Sequence, residues 1–196
     1  RDYLHPLVVK AMLKVERHRF IDSALQAQAY QDTSLPIGLG QTISKPSVVA
    51  RMITLLLDEC DFPLTRVLEI GTGCGYQAAV LSHIAKEVYS IERLKQLYDK
   101  AIQNIRPLLL PNLHMLFGDG MKGFPSGAPY SAIISAAGGI EIMSSWVHQL
   151  AIGGCILAPT ATHGHAGDPK VQSLMLLKKT PQGIITKTLI FRLETI

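Results

Sequence analysis

Hydrophobic residues near the beginning of the chain recur every three or four positions. They are Leu4, Leu7, Val8, Ala11, Met12 and Val15. This spacing places them on one face of an α-helix and leaves the other face polar. The pattern therefore predicts an amphipathic helix that opens the fold and covers part of a core.

From Arg66 onward, short apolar runs alternate with longer segments of helical period. The runs predict strands at Val67–Ile70, Val88–Ile91, His114–Phe117, Ala132–Ser135 and Cys155–Ala158. The segments between them predict helices at Gln77–Ala85, Leu94–Leu108 and Glu141–Leu150. Such alternation is typical of βαβ units, in which helices cover both faces of a parallel sheet.

The last part of the chain departs from this alternation. Two strand-like segments, "SLMLLKK" and "IITKTLIFRL", flank the turn sequence "TPQG". Two strands joined by a short turn form an antiparallel hairpin. The predicted fold class is therefore α/β, with a doubly wound, mostly parallel, Rossmann-like sheet that ends in a C-terminal antiparallel hairpin.

Between the first helix and the sheet lies a segment without periodicity. The stretch "DTSLPIGLGQTISK", Asp32–Lys45, combines glycine, proline and hydroxyl residues. This composition predicts an ordered loop with a binding role. Ser44 precedes Pro46 and an apolar run, so we predict that Ser44 is the N-cap of the next helix, with the proline in its first turn.

Length and composition narrow the class of protein. A chain of 196 residues suits one domain, in which we assign residues 1–60 to N-terminal helices and a loop and 61–196 to the sheet core. No uninterrupted stretch of about 18 apolar residues is present, so no membrane span is predicted. The net charge of +4 is scattered along the chain, and we therefore expect no nucleic-acid partner. We also expect a monomer.

Cysteine and histidine positions give little sign of a metal site. Cys60, Cys74 and Cys155 lie far apart in sequence and form no C-x-x-C pair. This favours neither a zinc site nor a disulfide framework, and it suits a reducing compartment. His163 and His165 lack a further ligand at metal spacing, so no metal is predicted. No secretory signal is recognised in a chain that begins at Arg1, and we expect a cytoplasmic protein.

The stretch "LEIGTGCGYQ", Leu68–Gln77, places a glycine-rich loop directly after the first strand of the predicted sheet. In doubly wound sheets this turn contacts the ligand, and glycine allows a close approach of the backbone. A dinucleotide loop would carry a third glycine where Tyr76 stands, and a P-loop lysine is absent. The spacing therefore disfavours ligands held mainly by their phosphates.

Acidic residues accompany the loop at three successive strands. Glu69 lies inside the first strand, Glu92 ends the second, and Asp119 follows the third. A carboxylate after the second strand can accept hydrogen bonds from ribose hydroxyls, and Asp119 is placed to accept from a purine amine. Together they predict a ligand with an ammonium group, a ribose and an adenine. The structural alternatives are a salt-bridged Glu69, Glu92 as a helix N-cap and Asp119 as a turn residue.

These motifs carry a resemblance to a known family. "VLEIGTGCGY", "SIE" and "GDG" resemble the class I S-adenosylmethionine-dependent methyltransferases. More narrowly, the chain resembles the protein-L-isoaspartate O-methyltransferase family along nearly its whole length. That closer resemblance is carried by "VERHRF", "SLPIGLGQTISKP", "GDGMKGFPSGAPYSAII" and "QLAIGGCILAP". Among these, "GQTIS" ahead of the glycine loop is the specific signal.

The resemblance implies a repair activity on aged proteins. A methyl group would pass from S-adenosylmethionine to the free carboxylate of an L-isoaspartyl residue, leaving S-adenosylhomocysteine. The ester would then close to a succinimide that hydrolyses partly to normal aspartate. The implied partners are damaged proteins and peptides that contain isoaspartyl residues.

The resemblance also implies the site residues. Ser44 is the active-site residue, and its chemistry suits a hydrogen-bond donor that orients the carboxylate. The implied cofactor residues are Gln41, Thr42, Ile43, Ser44, Glu69, Gly71, Thr72, Gly73, Gly75, Tyr76, Glu92, Arg93, Asp119 and Gly120. The implied substrate residues are Ile37, Ser44 and Gln172. No His and Asp around Ser44 form a recognisable triad, which disfavours a serine hydrolase.

The chain departs from the family pattern at three places. Ser131 stands where the family generally has aspartate. The segment with Gly138-Gly139 lacks the proline that the family usually has near Met143. Thr160-Ala161 replaces the usual Val-Gly. These departures keep open a divergent relative that binds S-adenosylmethionine but methylates another acceptor, or none. A nucleic-acid methyltransferase is disfavoured, since Ser135 and the two alanines after it replace the expected N/D-P-P-Y motif.

Overall fold

A computed structural model describes residues 3–61, 63–136, 141–161 and 172–190. The α-helices are α1 (Pro6–Lys14), α2 (Pro46–Glu59), α3 (Tyr76–Ser82), α4 (Lys95–Ile105) and α5 (Ser144–Gln149). The strands are β1 (Leu35–Gly38), β2 (Gln41–Ile43), β3 (Arg66–Ile70), β4 (Glu87–Glu92), β5 (Leu113–Phe117), β6 (Tyr130–Ser135), β7 (Leu150–Ala161), β8 (Gln172–Thr180) and β9 (Gly183–Ile190). Short 3-10 turns lie at Arg17–Phe20, Ser23–Gln28, Arg106–Leu108, Gly120–Lys122 and Pro125–Gly127.

Seven strands form the main sheet in the order β5-β4-β3-β6-β7-β8-β9. Neighbouring strands from β5 to β7 run parallel, whereas β8 and β9 are antiparallel to their neighbours. The chain moves outward from β3 to β4 and β5, then returns to the other side of β3 with β6. This reversal leaves a crevice at the carboxyl ends of β3 and β6, where such sheets bind ligands. The predicted fold class is confirmed, including the C-terminal antiparallel hairpin.

Apolar layers cover both faces of the sheet. Successive residues of a strand point to opposite faces, so Val67 joins the layer under α1 to α4 while Leu68 joins the layer under α5. Both side chains are fully buried. The predicted first helix is present as α1, and its buried Val8 and Ala11 belong to the same core as Val67. Within the described ranges, no helix has both the length and the apolar character needed to cross a bilayer.

The segment Asp32–Lys45 is more regular than its sequence indicates. It contains the antiparallel pair β1 and β2, joined through Gly38, Leu39 and Gly40, all three at positive φ. With four and three residues, these strands are too short to display an alternating pattern. The predicted ordered loop therefore contains a small hairpin, which we call the β1–β2 hairpin.

The predicted N-cap of α2 is wrong. Lys45 occupies the N-cap position and makes no side-chain cap bond. Instead, the Asp32 carboxylate accepts a hydrogen bond from the Ser47 backbone N–H at 2.9 Å. This bond lowers the pKa of Asp32, because the ionised carboxylate accepts from a helix N-terminus, where negative charge is favoured. An acid 15 residues away in sequence thus replaces the expected local hydroxyl.

Candidate active site

The glycine loop after β3 has a backbone that only glycine adopts readily. Gly71, Gly73 and Gly75 have φ values of 89°, 57° and 93°, all in the left-handed region that disfavours residues with a Cβ. A Cβ at Gly75 would lie 3.1 Å from the Ile105 side chain. The loop therefore combines a special backbone with close packing against α4, and α3 begins immediately after it.

Glu92, at the end of β4, holds the loop in place. Its Oε2 accepts from the Gly73 backbone N–H at 2.9 Å, and its Oε1 accepts from the Leu94 N–H at the same distance. An ionised carboxylate offers about four acceptor positions. The two that remain can accept the adjacent hydroxyls of a sugar. Glu92 thus makes a bond at the entry to α4, although Leu94 is the N-cap residue, and keeps acceptor capacity for the ligand role that the sequence predicts.

Glu69 lies beneath the loop rather than at its surface. It is 0% exposed, and its two carboxyl oxygens accept from Ser90 Oγ at 2.6 Å and Gln77 Nε2 at 2.9 Å. Ser90 also hydrogen-bonds Thr72 Oγ1 at 2.6 Å. These partners are neutral, so the salt-bridge alternative is wrong. Burial raises the pKa of Glu69 to about 7, and the group supports the loop from below.

Asp119 and Gly120 follow β5 at the same edge of the sheet. The Asp119 side chain is exposed, and its Oδ1 accepts from the Met121 N–H at 3.0 Å. Asp119 therefore is a turn residue, as the structural alternative held, while its exposed carboxylate can also accept a hydrogen bond from a ligand. A Cβ at Gly120 would lie 2.6 Å from Ile70, so glycine is required for the turn to pack against β3.

The β1–β2 hairpin packs over the glycine loop. A Cβ at Gly73 would lie 3.3 Å from Ile37 Cδ1, and Lys100 Nζ of α4 donates to the Ile37 carbonyl at 3.4 Å. Ile37 is buried in this contact, so its side chain supports the hairpin more than it presents a surface. Ser44 follows the hairpin and is half-buried.

The predicted site residues differ in exposure. Gln41, Thr42, Arg93 and Asp119 are exposed, and Gly71, Gly73 and Ser44 are half-buried. The remaining predicted residues with described side chains are buried: Ile37, Ile43, Glu69, Thr72, Gly75, Tyr76, Glu92 and Gly120. For Gln172 only the backbone is described. It pairs with Ala161 at the carboxyl end of β7, on the same edge of the sheet as the glycine loop.

The three departures from the family pattern lie in different parts of the chain. Ser131 lies at the start of β6, at the opposite edge of the sheet from the glycine loop; its hydroxyl accepts from the Thr65 N–H at 3.0 Å and donates to the Arg66 carbonyl at 2.9 Å. Gly138-Gly139 lies outside the described residues, as do His163 and His165. The backbone of Thr160-Ala161 ends β7 and pairs with β8. Ser131 therefore serves the remote edge of the sheet.

Two of the cysteines that are distant in sequence meet in the fold. The thiols of Cys60 and Cys155 interact, and this interaction together with burial raises the pKa of Cys60. Burial also raises the pKa of Cys74 to about 11, so this thiol of the glycine loop is a packing residue and a poor nucleophile. The described ranges contain no cluster of three or more His, Cys, Asp or Glu side chains that could hold a metal ion.

Sequence reasoning missed several residues that organise the site. Gln77 and Ser90 hold Glu69, Asn104 Nδ2 donates to the Cys74 carbonyl at 3.0 Å, and Arg17 binds three backbone carbonyls. One signal for Ser90 was available, since it is a hydroxyl inside an apolar strand beside a strand that contains Glu69. Asn104 and Arg17 act across long sequence separations and had no local signal.

The sheet order, the glycine loop after β3 and the acids at neighbouring strand ends define a Rossmann-like domain of the class I methyltransferase type. The family model described as protein-L-isoaspartate(D-aspartate) O-methyltransferase (PCMT) matches residues 2–191. The chain belongs to this family.

Curated relatives and solved structures agree with that assignment. Protein-L-isoaspartate O-methyltransferase 2 of Cupriavidus necator is 55% identical over 177 residues, which cover 88% of this chain and 58% of the relative. A relative from Burkholderia vietnamiensis, named protein-L-isoaspartate O-methyltransferase, is 55% identical over 170 residues, or 87% of this chain and 54% of the relative. The chain thus spans little more than half the length of these relatives.

Among solved structures, a protein-L-isoaspartate O-methyltransferase superposes with a TM-score of 0.81 at 28% identity, covering 95% of this chain and 59% of the other. A candidate member of the same family from Plasmodium falciparum, in complex with S-adenosyl-L-homocysteine, gives a TM-score of 0.81 at 24% identity. The superposition covers 96% of this chain and 88% of the Plasmodium falciparum chain. At this level of identity the similarity supports the assignment of the fold.

Proposed function

We propose that residues 1–196 form a single S-adenosylmethionine-dependent protein-L-isoaspartate O-methyltransferase domain. The observation that carries the proposal is the meeting of two elements: the β1–β2 hairpin, which leads into Ser44, lies directly against Gly73 of a loop that Glu92 holds. One element has the chemistry to bind a nucleoside, and the other has a hydroxyl that can orient a carboxylate. Membership of the family supports the same reading.

The residues at the carboxyl ends of β3, β4 and β5 suit S-adenosylmethionine. The left-handed glycines leave room for a ligand against the backbone, the free acceptor positions of Glu92 suit the ribose hydroxyls, and exposed Asp119 suits the adenine amine. A sulfonium and an ammonium group near an anionic edge are also favoured by simple charge attraction. When bound, this cofactor supplies a methyl group on a positively charged sulfur.

The reaction we propose needs no strong base. An isoaspartyl carboxylate is ionised at neutral pH, so one of its oxygens can form the new bond to the methyl carbon as the carbon–sulfur bond breaks. S-adenosylmethionine, held by the residues named above, would supply the methyl group, and S-adenosylhomocysteine would leave as a neutral thioether that keeps the bonding electrons. The protein's main contribution is to hold the carboxylate in line, and proximity of this kind can supply roughly 7–11 kcal/mol.

Ser44 is the residue we propose for that orienting role. In the described part of the chain its hydroxyl is engaged by no hydrogen bond, whereas its carbonyl accepts from Arg17 at 2.9 Å. The backbone is therefore fixed while the hydroxyl remains available to donate to the substrate carboxylate. The methyl ester then loses methanol when the next backbone nitrogen closes the succinimide, and hydrolysis of that ring yields aspartate in part.

We propose aged proteins and peptides with L-isoaspartyl residues as the partners of the domain, which we expect to act as a monomer in the cytoplasm without nucleic acid. The buried, free Cys60, Cys74 and Cys155 are compatible with a reducing compartment. Asn-derived and Asp-derived isoaspartyl sites share the carboxylate on which the proposed chemistry depends.

The test compares two peptides that differ in a single linkage. Purified domain is incubated with methyl-labelled S-adenosylmethionine and either an isoaspartyl peptide or its aspartyl twin. We expect label in the first peptide alone, released as methanol at alkaline pH. Equal labelling of both peptides, or none of either, would contradict the proposal. Cofactor binding by calorimetry without turnover would favour the alternative, a divergent relative with another acceptor or none.

A further inference from the structure

Arg17 is a buried cation whose side-chain hydrogen bonds, within the described residues, all end on backbone carbonyls. It is 1% exposed. Its Nε donates to Ala29 O at 2.8 Å, one terminal nitrogen to Ser44 O at 2.9 Å and the other to Thr33 O at 3.2 Å. In the described ranges, none of the ion pairs includes it. Burying a charge is costly unless it is hydrogen-bonded. The three carbonyls offset that cost, and in return one side chain joins three separate points of the backbone.

Two of those carbonyls bracket the β1–β2 hairpin. Leu35 pairs with Ile43 at the open end of the hairpin, and Thr33 and Ser44 lie just outside that pair. A single guanidinium therefore joins the two chain ends that enter and leave the hairpin. Since a guanidinium is planar and rigid, it fixes the distance between its partners more tightly than the flexible, single-centred ammonium of lysine.

The same guanidinium also contacts the element that follows the glycine loop. Arg17 Cζ lies 5.2 Å from the centre of the Tyr76 ring, and Tyr76 is the first residue of α3. Phe20, from the same 3-10 turn as Arg17, packs edge-on against this ring, with 5.6 Å between the two ring centres. Arg17 is thus in contact with the backbone at Ser44 on one side and with the end of the glycine loop on the other.

We propose that Arg17 is a positioning residue for methyl transfer, which sets the place of Ser44 relative to the glycine loop by holding the base of the β1–β2 hairpin. The inference rests on the proposed function in one respect, because it assigns its effect to the step in which Ser44 orients the carboxylate. Arg17 itself touches neither substrate nor cofactor in this scheme.

The test replaces Arg17 by lysine, which keeps the charge and loses the rigid fork. We expect kcat with the isoaspartyl peptide to fall roughly tenfold to a hundredfold, because a small displacement of an orienting group has effects of this size. The Kd for S-adenosylhomocysteine should change less than about threefold, since the bonds of Glu92 are untouched. Arg19→Lys is the matched control, because Arg19 is exposed and its side chain pairs with the neighbouring, exposed Glu16; it should leave both constants unchanged.

A double-mutant cycle separates positioning from general damage. If Arg17 acts through Ser44, the Arg17→Lys change should lower kcat by less than about threefold in a Ser44→Ala background. Equal losses in both backgrounds, or an unchanged kcat in the single variant, would overturn the proposal.

Hydrogen exchange tests the role of Arg17 without an activity assay. An inactive parent domain would contradict the proposed function but would leave this measurement valid. Arg17→Lys should speed amide exchange in residues 35–43 by at least about tenfold while β3 stays protected. Unchanged protection of the hairpin, or equal loss in the hairpin and β3, would overturn the role of Arg17 whatever the activity.

Discussion

Replacement of Glu69 by glutamine probes the energy of the network beneath the glycine loop. Burial raises the pKa of Glu69 from its ordinary 4.5 to about 7. In the unfolded chain the carboxyl group titrates near its ordinary value, so between these two pKa values the folded state holds a proton that the unfolded state has lost. The stability associated with this group is therefore complete below pH 4.5 and is lost progressively as the pH rises to about 7.

The size of the effect follows from the shift. A pKa difference of this size corresponds to about 3 kcal/mol once the carboxylate is ionised in both states. Glutamine does not titrate and escapes this loss. Its amide can be accommodated because the Ser90–Thr72 hydrogen bond can run in either direction, which frees Ser90 to accept. We expect the unfolding free energy of Glu69→Gln, relative to the parent, to increase by about 2–3 kcal/mol from pH 5 to pH 8.

Urea unfolding of the cofactor-free domain at several pH values measures this difference. The single tryptophan, Trp146, is buried and reports unfolding by fluorescence. Glu141→Gln serves as the control, because it makes the same replacement at an exposed position. A Glu69→Gln difference that does not vary with pH, that decreases with rising pH, or that only matches the control would show that the buried carboxyl group does not carry the expected penalty.

Other replacements test the site and its supports. Ser44→Ala should lower kcat about tenfold or more while the Kd for S-adenosylmethionine changes little, and unchanged turnover in a steady-state assay would remove Ser44 from the mechanism. Glu92→Gln should weaken cofactor binding in calorimetry by roughly tenfold to a hundredfold, because its amide would face a backbone N–H at Gly73 or Leu94. Asp32→Ala should lower the unfolding free energy by about 1 kcal/mol through the lost cap of α2. Since the pKa of Asp32 is lowered on folding, that loss should be full at neutral pH and shrink as the pH falls below the ordinary aspartate range; a loss independent of pH would contradict the capping role.

The central strands of the main sheet were predictable because they are buried on both faces. A strand such as β6 then contains a short apolar run, and its position relative to the intervening helices follows from the connection rules of parallel sheets. Helix ends were less accurate. The predicted helix Leu94–Leu108 ends as an α-helix at Ile105 and continues as a 3-10 turn, since Pro107 lacks the N–H that a further α-helical turn requires.

Contacts between distant segments were beyond the reach of local patterns. Ser44 has the right residue type and spacing for an N-cap, but Asp32 supplies the acceptor from the other end of the β1–β2 hairpin. Ser131 shows the converse case. At this position the family generally has aspartate. The Ser131 hydroxyl accepts a hydrogen bond from the Thr65 N–H and donates one to the Arg66 carbonyl, whereas an ionised carboxylate could not donate to that carbonyl. This replacement therefore supports the edge of the sheet opposite the glycine loop and gives no reason to doubt the candidate active site.

The acids near the glycine loop illustrate why strand register decides chemistry that sequence leaves open. Glu69 and Glu92 both follow apolar residues in neighbouring strands, yet Glu69 pairs with Ser90 and Ile134 inside the sheet, whereas Glu92 pairs with Phe117 at its end. The inner position removes Glu69 from water, and its hydrogen-bond partners there are the neutral side chains of Gln77 and Ser90. The outer position directs Glu92 to backbone N–H groups and leaves acceptor capacity for a ligand. We therefore expect Glu69 to set how the stability of the domain varies with pH and Glu92 to set the affinity for the proposed cofactor, so Glu69→Gln and Glu92→Gln should affect different measurements.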